Sequence, residues 1–504
     1  MTLASGVLYD DSLDVPVEVH AMTGLDRYGH LRSRRDTLLH HARQAVAGAG
    51  AGPMIVVASS EDRRELADRL PPDGRTLVWC AELVEVDPGA ASRLIARLAW
   101  AERDLVVVPA GAGPGAFVGA FSNRTLSRLL RCRTRRDRAQ MLTDLADRVE
   151  TLPCPDGWVG LADPARLARF VSGSFYARAF NRVRGDGAIV VKSSTDVAKM
   201  KAEHDWWHLL PDPLKRFAVQ PFGFTQADGV ASYKMERLHV PDAALLWVHG
   251  PGAMGPEDVD ALLDGLFRFF AERPVKAVAP GEALRVAHAR YVAKVDSRLH
   301  TFLNHPTGAA IDALLQASGH PGLSALQLRY HRMREALWRD APPDAALVVG
   351  HGDPCLSNVL FDKRTRLVRL IDPRGAVTEA DLWDEPTYDL AKLSHSILGG
   401  YDFVNNGLFD VVVDEQGGGL GLTLRLEGAA PAASAPFLER VTRAGFSVPT
   451  LRLYEASLFL SMLALHVEAP RRCLGLALTA TRVLDEAEAA ARPAPGGWAS
   501  WFRS

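Results

Sequence analysis

The spacing of apolar residues changes character twice along this chain of 504 residues, and that change constrains the fold more than any single motif. From about 50 to 150, short apolar runs at 54–58, 76–80 and 104–108 alternate with amphipathic stretches at 61–70 and 90–100. Strand-length runs separated by helical patterns predict an α/β unit on a parallel sheet. The segment LPCPDGWVG at 152–160 carries turn and breaker residues and reads as a boundary. From 165 to 250 the pattern becomes one of short strands. Residues 173–183 and 188–191 pair across an RGDG turn at 184–187, and further strands end at 232–238. Between them a single helix spans 196–210, capped by Thr195 and stopped by Pro211. Beyond 252 the period is helical at 256–272, 282–304, 309–317, 323–340 and 451–491, interrupted by a hairpin-like segment at 347–372. The Gly/Ala/Pro-rich pieces near 416–436 and 491–498 read as loop and tail. The expectation is an α/β domain over 1–155, a small β-rich lobe with one helix over 160–250, and a larger, mostly helical lobe over 251–504.

Composition excludes several partners. Hydrophobic residues at 47% and charged residues at 23% are the balance of a chain that buries a real core. A net charge of −2 gives no footing for nucleic acid or an anionic membrane. Five scattered cysteines without metal-ligand spacing read as free thiols in a reducing compartment. The first 16 residues carry Asp10, Asp11 and Asp14 and no apolar run, so they do not form a secretory signal. No uncharged apolar stretch reaches the roughly 18 residues of a membrane span. A cytoplasmic protein is expected. Its oligomeric state is open.

The residues with the most chemistry lie in VGHGDPCLSN, residues 349–358, and LIDP, residues 370–373. Phosphoryl transfer needs an acceptor hydroxyl held in line and phosphate charge neutralised by metal. Asp353 suits the first task, as the base that takes the hydroxyl proton. Asn358 offers Mg²⁺ a neutral oxygen and Asp372 a charged one, the small ligand set that Mg²⁺ completes with water and phosphates. His351 more readily ties the loop together than takes part in chemistry. Lys192 ends the apolar strand 188–191. Glu203 falls on the apolar stripe of the following helix with Met200, Trp207 and Leu210, where a carboxylate needs a cation beside it.

HGDxxxxN followed by IDP resembles the catalytic and metal loops of aminoglycoside phosphotransferases and choline kinases. The resemblance implies a two-lobed, protein-kinase-like fold, an ATP phosphate-binding role for Lys192 oriented by Glu203, and Mg²⁺ at Asn358 and Asp372. It makes YKMERL, residues 233–238, similar to the hinge that reads the adenine edge, with Glu236 and Leu238 as nucleotide contacts. Asp389, in YDLAKL, becomes a structural anchor. The phosphate loop is thin: SGSFYA at 172–177 has one glycine, with Ser172 and Ser174 as candidate contacts. VKSS at 191–194, IDPRG at 371–375, HSILG at 395–399 and LSMLALH at 460–466 are similar to kinase-like phosphotransferases of capsular and other surface polysaccharide pathways.

The expected function is therefore transfer of the γ-phosphate of a nucleoside triphosphate, ATP or GTP, to a small-molecule hydroxyl. A sugar or polysaccharide precursor comes first. An amino sugar or amino alcohol is the alternative, suited to Glu379, Asp381, Asp384 and Glu385 around Trp383, although an ordinary acidic loop fits these residues as well. A protein kinase fits poorly, since only sixteen residues separate Asp372 from Asp389. A kinase-fold scaffold without catalysis would ordinarily have lost one of the five polar residues. The first 150 residues lie outside the resemblance and leave open a second nucleotide- or sugar-related activity. Gly111–Ala116 formally matches a GxGxxA fingerprint but reads better as a plain glycine turn, and the seven arginines of 124–138 read as a solvated or interdomain face.

Overall fold

The computed structural model describes residues 6–33, 36–87, 89–167, 170, 182–186, 188–238, 240–416 and 419–491. The chain divides into two compact units, 1–176 and 177–504.

The first unit is built on six strands: β1 (Val7–Asp10), β2 (Met54–Val57), β3 (Arg75–Cys80), β4 (Asp104–Val107), β5 (Val118–Ser122) and β6 (Val149–Leu152), in the order β2-β1-β3-β5-β4-β6. The sheet is mixed, which corrects the expectation of a parallel one. β5 runs antiparallel to both β3 and β4. The reason is chain length: only residues 108–117 join β4 to β5, too few for the crossover that a parallel neighbour requires. The stretch 152–160 lies inside this unit, since Trp158–Gly160 pairs with Leu83–Glu85.

The second unit has two lobes. The small one is an antiparallel sheet in the order β7-β8-β10-β9, formed by β7 (Arg182–Asp186), β8 (Ile189–Ser194), β9 (Pro221–Ala227) and β10 (Val230–Glu236). Residues 184–186, expected in the turn, belong instead to β7 and pair with 189–191. Helix α1 (Val197–Leu209) packs on this sheet, with Met200, Glu203 and Trp206 buried. Its cap is Asp196, whose carboxylate accepts the amide of Lys199, and not Thr195. Pro211 follows its end as expected.

The large lobe is helical, with α2 (Pro256–Glu272), α3 (Lys294–Leu303), α4 (Tyr388–Ile397), α5 (Val448–Met462) and α6 (Pro470–Ala491) as its main members. Leu453, Ala456, Phe459 and Leu460 of α5 lie in a core shared with Leu476, Ala480 and Leu484 of α6 and with Leu299 and Phe302 of α3. The segment Val448–Leu465 is long and apolar enough to cross a membrane by length and composition, yet 72% of it is buried inside the lobe. It also carries the buried pair Arg452–Glu455. The helical stretch expected over 451–491 is broken at 463–469. Residues 409–416 and 419–426 are the two arms of an antiparallel hairpin whose Leu422 is buried in the core, so the second arm falls in the stretch near 416–436 expected as loop.

Candidate active site

Three local structures meet in the second unit. Strand β8 places Lys192 opposite Tyr233 of β10. The Lys192 ammonium lies 2.5 Å from Glu203 Oε2 on α1 and 3.0 Å from Asp372 Oδ1. Tyr233 donates its hydroxyl to the same Glu203 oxygen at 3.0 Å. Burial alone would push Lys192 down, but the carboxylates of Asp372 and Glu203 hold it above its ordinary value, so it stays charged. The side chains of Lys192 and Glu203 are 2% exposed and that of Asp372 is 36% exposed, so only Asp372 is readily reached from solvent.

The second structure is the loop after the strand Ala346–Val349. Asp389 at the start of α4 accepts the amides of His351 at 2.9 Å and Gly352 at 2.7 Å and pairs with buried Arg273 at 3.2 Å. Asp389 therefore sets the loop, as the resemblance implied. His351 is buried, which pushes its pKa down; the neutral ring accepts the Asp353 amide on Nδ1 and packs edge-on against Trp206. Trp206 in turn donates to the Gly350 carbonyl at 3.0 Å, tying α1 to this loop.

A hairpin of Val359–Asp362 with Leu367–Leu370 supplies the third structure. Its register sets Val359 against Leu370 and so brings Asn358 beside Ile371, whose amide donates to the Asn358 carbonyl at 3.0 Å. The Asn358 side-chain nitrogen donates to the Asp353 carbonyl at 2.9 Å, so it is the side-chain oxygen that could meet a cation. Asp372 has φ +55°, a conformation rare outside glycine and a local strain that the surrounding packing sustains. Gly375, at φ +96°, lets the chain pass α1, and the amide of Ala376 donates to the Ala202 carbonyl. A narrow cleft is lined by Glu203, Trp206, Tyr233, Ile371 and Asp372.

Lys392 was not singled out by sequence. Its ammonium is 2.9 Å from Asp353 Oδ1. Burial would lower its pKa, but Asp353, and after it Tyr388, outweigh burial and keep it charged. One turn earlier on α4, Tyr388 is enclosed by cations. Burial pushes its phenol up, but Lys294, Lys392, Arg374 and Arg290 bring it down to about 8.

Among the remaining expected residues, Ser172 and Ser174 lie outside the described residues. Glu236 is exposed at the end of β10 and Leu238 is half-buried just beyond it; the intervening Arg237 amide donates to the Ala188 carbonyl. Three of the four carboxylates of the acidic loop have partners. Asp384 pairs with Arg290, Glu385 accepts the hydroxyl of Tyr291 and the amide of Thr387, and Asp381 accepts the amides of Val377 and Thr378. Among the described residues no group of three or more His, Cys, Asp and Glu is placed to hold a metal by itself. Asn358 and Asp372 could hold Mg²⁺ only together with other oxygen ligands.

In the first unit the glycine turn Gly111–Ala116 joins two antiparallel strands and not a strand to a helix, so the context of a dinucleotide fingerprint is missing. Two of the seven arginines turn inward rather than to solvent. Arg138 is 1% exposed and pairs with Asp10 at 2.5 Å, and Arg135 pairs with buried Glu82.

No family model matches this chain, and no curated protein matches it. Solved structures do. It is similar to aminoglycoside phosphotransferase APH(4)-Ia at 11% identity, over 66% of this chain and 100% of that one, with a TM-score of 0.36. It is similar to aminoglycoside phosphotransferase APH(3'')-Id from Streptomyces rimosus at 16% identity, over 56% of this chain and 94% of that one, with a TM-score of 0.32. The structure of the latter with ADP and streptomycin matches at 18% identity, over 55% and 88%, with a TM-score of 0.31.

Proposed function

We propose that the second unit transfers the γ-phosphate of ATP to a hydroxyl of a small molecule, with Mg²⁺. The observation that carries this reading is the meeting of Lys192 with both Glu203 and Asp372, joined through one hairpin to the loop that presents Asp353 and Asn358. A carboxylate in the apolar stripe of α1 has a clear use if it holds a cation in place for phosphate oxygens. Asp353, with 22% of its side chain exposed, accepts the proton of the acceptor hydroxyl. Lys392 beside it holds Asp353 in position. Asn358 and Asp372 would hold Mg²⁺, which screens the phosphate charge when bound. Of the acceptors, a sugar or polysaccharide precursor is preferred to an amine, because Asp381, Asp384 and Glu385 around Trp383 are committed to partners of their own.

The test is a screen of sugars, sugar acids, amino sugars and amino alcohols for ATP-dependent phosphate gain by mass spectrometry, run on the parent and on Asp353→Asn. A positioned base contributes about 10²–10⁴ in rate, so the variant should lose that much while ATP affinity is kept. Near-parental turnover in Asp353→Asn would remove this residue from the mechanism.

A further inference from the structure

Two cations stand beside the proposed base without a carboxylate between them. Tyr388 and Lys392 lie four residues apart on α4 and share a face. Lys392 meets Asp353 at 2.9 Å and also lies within electrostatic reach of the Tyr388 phenol. Lys294 Nζ donates to that hydroxyl at 2.6 Å and Arg374 Nη1 at 3.3 Å. Arg374 is rooted at the base loop, since its own amide donates to the His351 carbonyl at 2.9 Å. The carboxylates of the neighbourhood are taken: Asp353 by Lys392, Asp372 by Lys192, Asp384 by Arg290, Asp389 by Arg273, and Glu385 by Tyr291 and Thr387. Among the described residues neither Lys294 nor Arg374 forms an ion pair. Like charges on two long, flexible side chains ordinarily swing apart into water. Here both converge on the Tyr388 hydroxyl, and Arg374 is exposed while Lys294 is half-buried, so a solute can reach them.

Resting on the phosphotransferase reading above, we propose that the acceptor carries an anionic group, a carboxylate or a phosphate, received by Lys294 and Arg374 beside Tyr388 while its hydroxyl meets Asp353. An oxyanion there gains charge-assisted hydrogen bonds from both cations and relieves their mutual repulsion. An ammonium at the same place meets Lys294, Arg374 and Lys392 together, which disfavours amino sugars and amino alcohols.

The test is calorimetry on the full-length protein with Mg·ADP present, titrating glucose, glucosamine, glucuronate and glucose 6-phosphate in parallel. The expected result is binding of one or both charged sugars at millimolar concentration or below, with glucose and glucosamine weaker by about tenfold or more. Preference for glucuronate marks a carboxylate acceptor, and preference for glucose 6-phosphate a phosphorylated one. Lys294→Met and Arg374→Met should each weaken the charged sugar by about tenfold while Mg·ADP affinity and the melting temperature stay near parental. Binding of glucose or glucosamine as tight as that of the charged sugars, no binding of either charged sugar, or unaltered binding in both variants would overturn the proposal. Because the comparison among sugars on the parent needs no variant, a variant that fails to fold leaves that result standing. Failure of the parent to bind Mg·ADP would count against the phosphotransferase reading as well, and is seen in the same experiment before any sugar is added.

Discussion

Asp402 illustrates how far burial can move a single group. It is fully buried on the short helix Tyr401–Asn405, and desolvation raises its carboxyl to about 7. A carboxyl whose pKa is raised on folding binds its proton more tightly in the native state. The stability it contributes is present below the unfolded value and is lost as pH rises through the folded one. The window therefore runs from the ordinary Asp range near 4 up to about 7. Asp402→Asn removes the titration. Relative to the parent, the variant should gain stability between pH 5 and pH 8, by on the order of 2–4 kcal/mol at most. Denaturant melts of both proteins at the two pH values measure the gain; an unchanged gap would show that Asp402 does not titrate in this window. The contrast with Asp389 is instructive. Equally buried, Asp389 accepts two amides and pairs with Arg273, and it orders the loop that presents Asp353.

At the scale of elements, the passage of residues 372–376 across α1 decides where Asp372 and Glu203 meet. A Cβ added to Gly375 would lie 2.6 Å from the backbone carbon of Ala202, in addition to the cost of its left-handed φ. Gly375→Ala should destabilise the protein by about 1–3 kcal/mol and weaken Mg·ATP binding along with it. A thermal melt and a nucleotide titration on the same preparation check both, and a variant with parental values would show that this crossing is slack. Much of this geometry was legible in the sequence. Glu203 stood out because a carboxylate in an apolar stripe demands a cation, and Asp353, Asn358 and Asp372 because their order matches a known chemistry. Lys392 and Lys294 were not legible, since each lies in an ordinary helical pattern and only tertiary packing brings it to the base loop. β1 was missed because four apolar-to-acidic residues near the N-terminus carry no period. The hairpin at 409–426 was missed because its glycines outweighed the alternation of Leu420, Leu422 and Leu424 in the reading. The reversed direction of β5 was encoded in the short connection before it, which the glycine content drew attention away from.

For the whole molecule, the division into units 1–176 and 177–504 bears on where activity resides. Lys192, Glu203, Asp353, Asn358 and Asp372 all belong to the second. A chain beginning at Val171, which keeps Ser172 and Ser174, should stay soluble and bind Mg·ATP, while residues 1–170 alone should not bind it. A soluble truncated chain that had lost the nucleotide would place part of its site in the first unit. The central claim, a metal-dependent phosphate site at Asp372, is tested most directly by titrating ATP into the parent and into Asp372→Ala, each with and without Mg²⁺. The parent should bind ATP more tightly with Mg²⁺ than without it, and Asp372→Ala should lose that difference, because a charged oxygen is the stronger ligand for a hard cation. Equal Mg²⁺ dependence in the two proteins would contradict the assignment.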